Sequence, residues 1–267
     1  MRQSRPRFSR RARATDGLLV KVSEYAESSA VVTLLTGGLG LVHAVAKGAK
    51  RLSNSFKGPL DKGVLYRVRV GRRGREGLYL LNSATVREAF PALRRESARF
   101  HAASLVLEVA SDLTREGEPH VELFRLTVFV LKALDRAPSS RLGLVASLFL
   151  ARAVVLSGHA PEIGHCVACG RPLRSGERPL LAPLRGGLLH PACAQGEPGA
   201  RQVGAATLAC LEDLWETPAA EILAAEPYAP ETLRKVRRLL EDWLQQVLER
   251  RFMAAEPMER EIARDLR

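Results

Sequence analysis

Four residues of the chain have the types and the spacing of a metal-binding site. Cys166 and Cys169 are separated by two residues, and His190 and Cys193 follow at the same spacing. Tetrahedral zinc takes four thiolate or imidazole ligands, and each short loop offers two of them to one ion while the segment between the pairs folds back as a hairpin. Because four protein ligands leave no position for water or substrate, the spacing predicts one structural zinc ion and not a catalytic one.

Three alternatives to this site stay open at the level of the sequence. The four residues can be unrelated, with cysteine buried as a small hydrophobic residue. His165 adjoins the first cysteine and competes with His190 for the fourth position. Zinc deaminases combine H-x-E with P-C-x-x-C, and His120 and Glu122 have the first of these spacings, but His165 stands where the second requires proline. The remaining cysteine, Cys210, lies in an apolar helical stretch and is expected to be a core thiol.

Motifs of several enzyme classes are absent from the sequence. It contains no G-x-x-x-x-G-K-[ST] phosphate loop, no H-E-x-x-H and no G-x-S-x-G. Gly71, Gly74 and Gly77 are spaced as in a glycine-rich loop, but the arginines among them favour the cationic tip of a hairpin. We therefore expect no catalytic residue and a protein that is not an enzyme.

Positive charge is concentrated in the first third of the chain. The formal net charge is +12; residues 1–80 hold 17 Lys+Arg and 5 Asp+Glu, whereas residues 81–267 hold 24 of each. Such asymmetry indicates a polyanionic partner. Nucleic acid is favoured over an anionic membrane, because the basic part of the chain contains no basic amphipathic helix. The alternative is a solvated basic surface that keeps the protein soluble.

The first residues of the chain have no hydrophobic period. Residues 1–16 contain six arginines and one acidic residue. This composition predicts a disordered basic arm that contacts phosphates. An organelle transit peptide is the alternative, although the arm lacks an apolar helical face.

Residues 17–81 have the pattern of a small β-barrel. In one run Tyr66, Val68 and Val70 alternate with Arg67 and Arg69, so one face of that strand is apolar and the other cationic. Short runs of Val, Leu and Thr between glycine turns predict strands at 17–25, 29–36, 39–46, 64–70 and 77–81. Five strands in so short a segment favour the oligonucleotide-binding (OB) barrel, with an SH3-like barrel as the alternative.

From residue 82 the hydrophobic period becomes helical. The stretch 141–157 is apolar almost all round, as in a central buried helix, and is too short and interrupted by Arg152 to span a membrane. Helices are predicted at 92–115, 119–136, 141–157, from 203 onward and at 230–251. The expected fold is therefore α+β, with a basic arm (1–16), an OB barrel (17–81), a helical bundle domain (82–160), an inserted zinc-knuckle segment (161–200) and helices completing the helical domain (201–267).

Two strings carry a resemblance to a known family. The first has Tyr25 and Glu27, a strand ending in Thr36, a glycine turn to Gly40, and a basic stretch from Ala46 to Arg51. The second has the run Ser157–Pro161, then Cys166-Val-Ala-Cys169-Gly170 and Gly186-Gly187-Leu188. In this order they resemble the RecO family of bacterial recombination mediators, over about residues 17–250. The chain departs from the family pattern in its arginine-rich arm and at His190, where zinc-bearing members commonly have cysteine.

The resemblance implies a cytoplasmic, nucleoid-associated protein of DNA repair. It implies binding of single- and double-stranded DNA, annealing of complementary strands, pairing with RecR, and help to RecA in displacing single-strand-binding protein. The cations expected to contact phosphates without reading base edges are Lys47, Lys50, Arg51, Arg67, Arg69, Arg72, Arg73 and Arg75. An RNA-binding protein with an OB barrel and a zinc knuckle, acting in RNA processing or translation, is the alternative.

Overall fold

The computed structural model describes residues 12–49, 56, 58–71, 77–173, 176–226, 228–255 and 257–258. The chain divides into two compact units, one formed by Met1–Arg95 with Ala110–Asp135 and the other by Glu96–Val109 with Arg136–Arg267. The first unit therefore combines the strands with a helical stretch that follows them in the chain.

Five strands of the first unit close into a barrel. They are β1 (Arg13–Ala26), β2 (Ser29–Thr36), β3 (Gly40–Ala46), β4 (Leu65–Val70) and β5 (Tyr79–Glu88). Their order is β1-β2-β3-β5-β4, and pairing of β4 with β1 completes the circle. The β3–β5 pair is parallel and the others are antiparallel. This five-stranded closed barrel confirms the OB fold predicted from the sequence.

Two strand boundaries, the start of β1 and the end of β5, differ from those expected by more than two residues. Arg13–Asp16, assigned to the arm, belong to β1 because they pair with β4 from Val70 to Arg67. The last strand does not end at residue 81 but runs to Glu88, because it keeps pairing with β4 through two register shifts. Residues 1–11 of the expected arm lie outside the described residues.

The interior of the barrel is filled by the apolar face of each strand. On β4, Tyr66, Val68 and Val70 are buried, while Arg67 and Arg69 are exposed, which confirms the alternation read from the sequence. The Tyr66 hydroxyl accepts a hydrogen bond from the Asp61 N–H at 2.9 Å, so its polar atom is satisfied inside the core. Each such burial stabilises the fold by about 1.5–3 kcal/mol.

The glycine turn between β2 and β3 depends on one backbone conformation. The buried Thr36 hydroxyl donates to the Gly40 carbonyl at 2.8 Å and accepts from the Leu39 N–H at 3.0 Å. Gly40 has a φ of +69°, and a Cβ there would lie 2.5 Å from the Arg115 carbonyl oxygen. Only glycine fits this position, because a side chain would meet both a steric clash and a strained φ.

The α-helices among the described residues follow the barrel in the sequence. They are α1 (Ala92–Arg95), α2 (Ser97–Asp112), α3 (Val121–Arg136), α4 (Leu142–Leu156), α5 (Ala205–Glu216), α6 (Ala219–Ala224) and α7 (Pro230–Val247). In the second unit α5 and α7 pack against α4, which is buried on nearly all sides. Among the described residues one stretch, Ser139–Leu156, is long and apolar enough to cross a membrane, and 67% of it is buried inside the protein. It is the central core helix predicted from its composition.

Candidate metal centre and cationic barrel face

The segment between α4 and α5 folds around a small three-stranded sheet. Its strands are β6 (Leu180–Ala182), β7 (Gly187–Leu189) and β8 (Arg201–Gln202), in the order β7-β6-β8. The antiparallel β6–β7 hairpin returns the chain toward the first cysteine pair, and the Val167 N–H donates to the Leu188 carbonyl at 2.9 Å. The hairpin expected between the two ligand pairs is therefore present.

Backbone hydrogen bonds shape the first ligand loop. The Cys166 carbonyl accepts from the Gly170 N–H at 2.8 Å, and the Cys166 N–H donates to the Arg171 carbonyl at 2.9 Å. Gly170 closes the turn with a φ of +71°, a conformation that favours glycine. Cys166 is buried and Cys169 is exposed. These hydrogen bonds fix both ends of the loop, and the side chains of Cys166 and Cys169 project from the resulting turn.

The second ligand loop is a short helical turn. The His190 carbonyl accepts from the N–H groups of Cys193 and Ala194 at 2.9 and 3.1 Å. Just before it, a Cβ at Gly187 would lie 2.4 Å from the Glu162 carbonyl oxygen, so no side chain fits there. The close approach also lets the Leu188 N–H donate to that carbonyl at 2.8 Å.

The two loops bring four ligand atoms together. Those of Cys166, Cys169, His190 and Cys193 all lie within 4.8 Å of one another. Three sulfur atoms and one imidazole nitrogen are a donor set that suits a tetrahedral metal ion. The structure therefore confirms that these residues form one group that can hold a metal. His165 is not part of it, because its ring is largely exposed and its Nδ1 lies 3.7 Å from Glu162.

The electrostatics favour ionised sulfur at Cys166 and Cys169, whereas burial, with hydrogen bonds to those two cysteines, raises the pKa of Cys193. Burial acts to raise the pKa of the Cys166 thiol, but backbone hydrogen bonds from His190, Cys169 and Ala168 outweigh it and lower the pKa to about 6. A hydrogen bond from the Arg171 side chain lowers the pKa of Cys169. Because the thiolate is the metal ligand, the lowered pKa values favour metal binding at Cys166 and Cys169, and Cys193 has to lose its proton when an ion binds.

The other residues weighed as ligands have structural roles. The His120 Nδ1 accepts from the Leu123 N–H at 3.4 Å at the start of α3, and Glu122 pairs with Arg125 at 2.9 Å. Neither His120 nor Glu122 belongs to the metal group, so the arrangement of a zinc deaminase site is not formed by these residues. Cys210 is buried in α5, and burial raises its pKa to about 12, as expected of a core thiol.

Three of the barrel cations predicted to contact nucleic acid lie among the described residues. Arg67 and Arg69 project from the outer face of β4, and Lys47 is exposed in the turn that follows β3. The other five lie outside the described residues: Lys50, Arg51, Arg72, Arg73 and Arg75. The outer face of β4 with Lys47 is called the cationic face below.

Sequence reasoning missed one arginine and its acidic partner on this barrel. The Asp16 carboxylate lies 3.3 Å from Arg67 and 3.8 Å from Arg87. Arg87 was missed because β5 was expected to end at residue 81; the alternation of buried residues stops after Leu81, where pairing with β4 shifts register, and the next buried residue is Ala84. Exposed pairs of this kind contribute about 0–1 kcal/mol, so they leave the arginines able to exchange partners.

Comparisons with known proteins match both units. A family described as "Recombination protein O N terminal" matches residues 12–90, and one described as "Recombination protein O C terminal" matches residues 94–256. A DNA repair protein RecO of Anaeromyxobacter dehalogenans strain 2CP-1 is 37% identical over 245 residues, 91% of this chain and 94% of that protein. One from Anaeromyxobacter sp. strain Fw109-5 is 36% identical over 239 residues, 89% of this chain and 92% of that protein. One from Rhodopirellula baltica is 31% identical over 214 residues, 80% of this chain and 75% of that protein.

Proposed function

The chain belongs to the RecO family of DNA repair proteins, and we propose that it acts there as a DNA-binding mediator without catalytic residues. In this role it binds single- and double-stranded DNA, anneals complementary strands and, together with RecR, assists RecA loading onto DNA coated with single-strand-binding protein. It works in the cytoplasm, at the nucleoid.

The cationic face is the observation that supports this proposal most directly. Arg67 and Arg69 are held on a closed barrel by the buried residues that alternate with them, so both side chains leave the strand on its outer face. Cations on the outer face of a strand bind the phosphate backbone by releasing counterions, which depends on charge and not on base sequence. Binding is therefore salt-sensitive and nearly independent of sequence.

The metal group supports a structural ion in the second unit, and we propose zinc. Three thiolates and one imidazole match the ligands that zinc prefers, and all four positions of a tetrahedral shell are supplied by protein. Such an ion adds stability and no open coordination site. It would hold the two ligand loops and their small sheet in one conformation.

Strand binding at two salt concentrations, with and without RecR, tests the proposed function. We expect affinity for single-stranded and duplex DNA to fall together between roughly 50 and 200 mM salt, and complementary strands to anneal faster with the protein present. Addition of RecR should change DNA binding by forming a joint complex. Strong preference for RNA, with no annealing of DNA, would instead support the RNA-processing alternative.

Removal of residues 2–11 is expected to weaken DNA binding mainly at low salt. The deletion takes away five arginines, each of which can add a non-specific electrostatic interaction that salt screens. Zinc content and Tm should not change. Titration of DNA at two salt concentrations and a thermal melt provide the measurements.

A slightly longer truncation serves as the control for this prediction. Removal of residues 2–14 also deletes Arg13 and Ala14, which pair with Val70 and Arg69 of β4. This variant should lose thermal stability, unlike the shorter one. A marked fall in Tm already for the 2–11 deletion would show that the arm contributes to folding and would contradict the prediction.

A further inference from the structure

The imidazole of the metal group has a carboxylate on its far side. The His190 Nδ1 lies 3.5 Å from the Cys169 Sγ, and the Nε2 of the same ring lies 3.4 Å from the Glu177 Oε2. One ring nitrogen thus faces the sulfur ligands and the other faces an acid. The His190 side chain is 13% exposed and that of Glu177 33%, so the contact is partly shielded from water.

We propose that Glu177 is the positioning residue of the metal centre, which accepts a hydrogen bond from the His190 Nε2–H and so presents Nδ1 to the ion. A neutral imidazole has one N–H donor and one acceptor nitrogen, and a metal binds only the acceptor. The carboxylate selects the tautomer with the proton on Nε2. It also fixes the plane of the ring, which otherwise turns freely about its bond to Cβ. The inference rests on the metal centre proposed above.

Local structure places Glu177 for this role. It follows Gly176, whose φ of +92° forms a turn, and it precedes β6, whose partner strand β7 leads directly into His190. The hairpin therefore brings the acid and the imidazole together through pairs such as Leu180–Leu189. The nearby acid Glu162 is engaged elsewhere, since its Oε1 accepts from the N–H groups of Gly164 and His165 at 2.8 and 3.0 Å.

Zinc affinity measured by competition with a chelator tests the inference. Partners of this kind change metal affinity by about 10–100-fold, so Glu177→Ala should weaken zinc binding within that range. Glu177→Gln should fall between the parent and the alanine variant, because its amide oxygen still accepts a hydrogen bond. The matched control is Glu197→Ala, which removes an acid of the same segment. The Glu197 side chain has no hydrogen bond or ion pair to the described residues. This variant should bind zinc like the parent.

Repeating the Glu177→Ala change in a His190→Cys protein distinguishes positioning of the imidazole from a general effect of the negative charge. A cysteine ligand has one sulfur atom and no tautomer, so in a His190→Cys protein the further change Glu177→Ala should alter zinc affinity less than about threefold. Nitrogen NMR of the zinc-loaded parent should show the His190 proton on Nε2, and the alanine variant should lose the corresponding hydrogen-bonded N–H signal. This second readout applies even when the cysteine variant does not fold.

The outcomes distinguish this inference from the metal centre on which it rests. Stoichiometric zinc in the parent with equal affinities for parent and Glu177→Ala would leave the metal centre intact and overturn the role of Glu177. Equal losses in the histidine and cysteine backgrounds would also overturn it, since the effect would then not pass through the imidazole. A parent protein without zinc would remove the metal centre and the inference together.

Discussion

Replacement of Cys166 by serine is expected to release the metal and to destabilise the second unit. Cys166 is fully buried, and backbone hydrogen bonds join its loop to β7 and to Arg171, so we expect the proposed ion and the fold of this segment to depend on each other. A hydroxyl does not replace a thiolate ligand, and it leaves a polar group in the buried position. We expect a loss of about 3–5 kcal/mol, or about 6–20 °C in Tm, together with less than stoichiometric zinc. Metal analysis and a thermal melt measure both effects.

Cys210 provides the matched control for this prediction. It is the other buried cysteine, but it lies in α5 and outside the metal group. Cys210→Ser should lower stability by the cost of a buried hydroxyl, about 1–3 kcal/mol, with full zinc content. If Cys166→Ser kept one zinc per chain, the assignment of this ligand would be wrong. DNA binding through the barrel should be largely retained in both variants, because the cationic face belongs to the first unit.

Neutralisation of the cationic face is expected to have the largest effect on DNA binding. The triple variant Lys47→Gln, Arg67→Gln and Arg69→Gln removes three cations that we propose to pair with phosphates of single strands and duplex alike. The slope of log affinity against log salt should become shallower by about 0.9 for each phosphate that is no longer neutralised on duplex DNA, and affinity at low salt should fall roughly 10–100-fold. Titration of labelled DNA over a range of salt concentrations gives both quantities.

An equal change of charge on α7 controls for the net charge of the protein. Arg234, Lys235 and Arg238 are exposed on that helix, and their replacement by glutamine also removes three positive charges. We expect this variant to retain most of the parent's DNA affinity and its salt slope. Equal losses in the two triple variants would mean that binding follows total charge, and a barrel variant that binds like the parent would place the DNA site elsewhere. Unchanged zinc content and Tm would show that both variants are folded.

Features that depend only on neighbouring residues could be predicted before the fold was known. The two ligand pairs could be found because a two-residue gap forms a loop whichever fold surrounds it. The strand with Arg67 and Arg69 could be found because side chains alternate between its faces at every second residue, and the core helix because its residues are apolar on all sides. These periods and spacings come from backbone geometry over a few residues, so they can be recognised in the sequence before any tertiary contact is known.

The ends of the strands and the residues that complete the metal group depend on contacts between distant parts of the chain. Arg13–Asp16 and the end of β5 are extended because they pair with β4. The residues next to them in the sequence do not predict this pairing. His190, and not His165, joins the metal group because the β6–β7 hairpin returns it to the first loop. Glu177 reaches its ring by the same hairpin. Contacts between residues distant in the chain depend on how strands pair and pack. They form only when the whole segment folds, so local sequence patterns do not predict them.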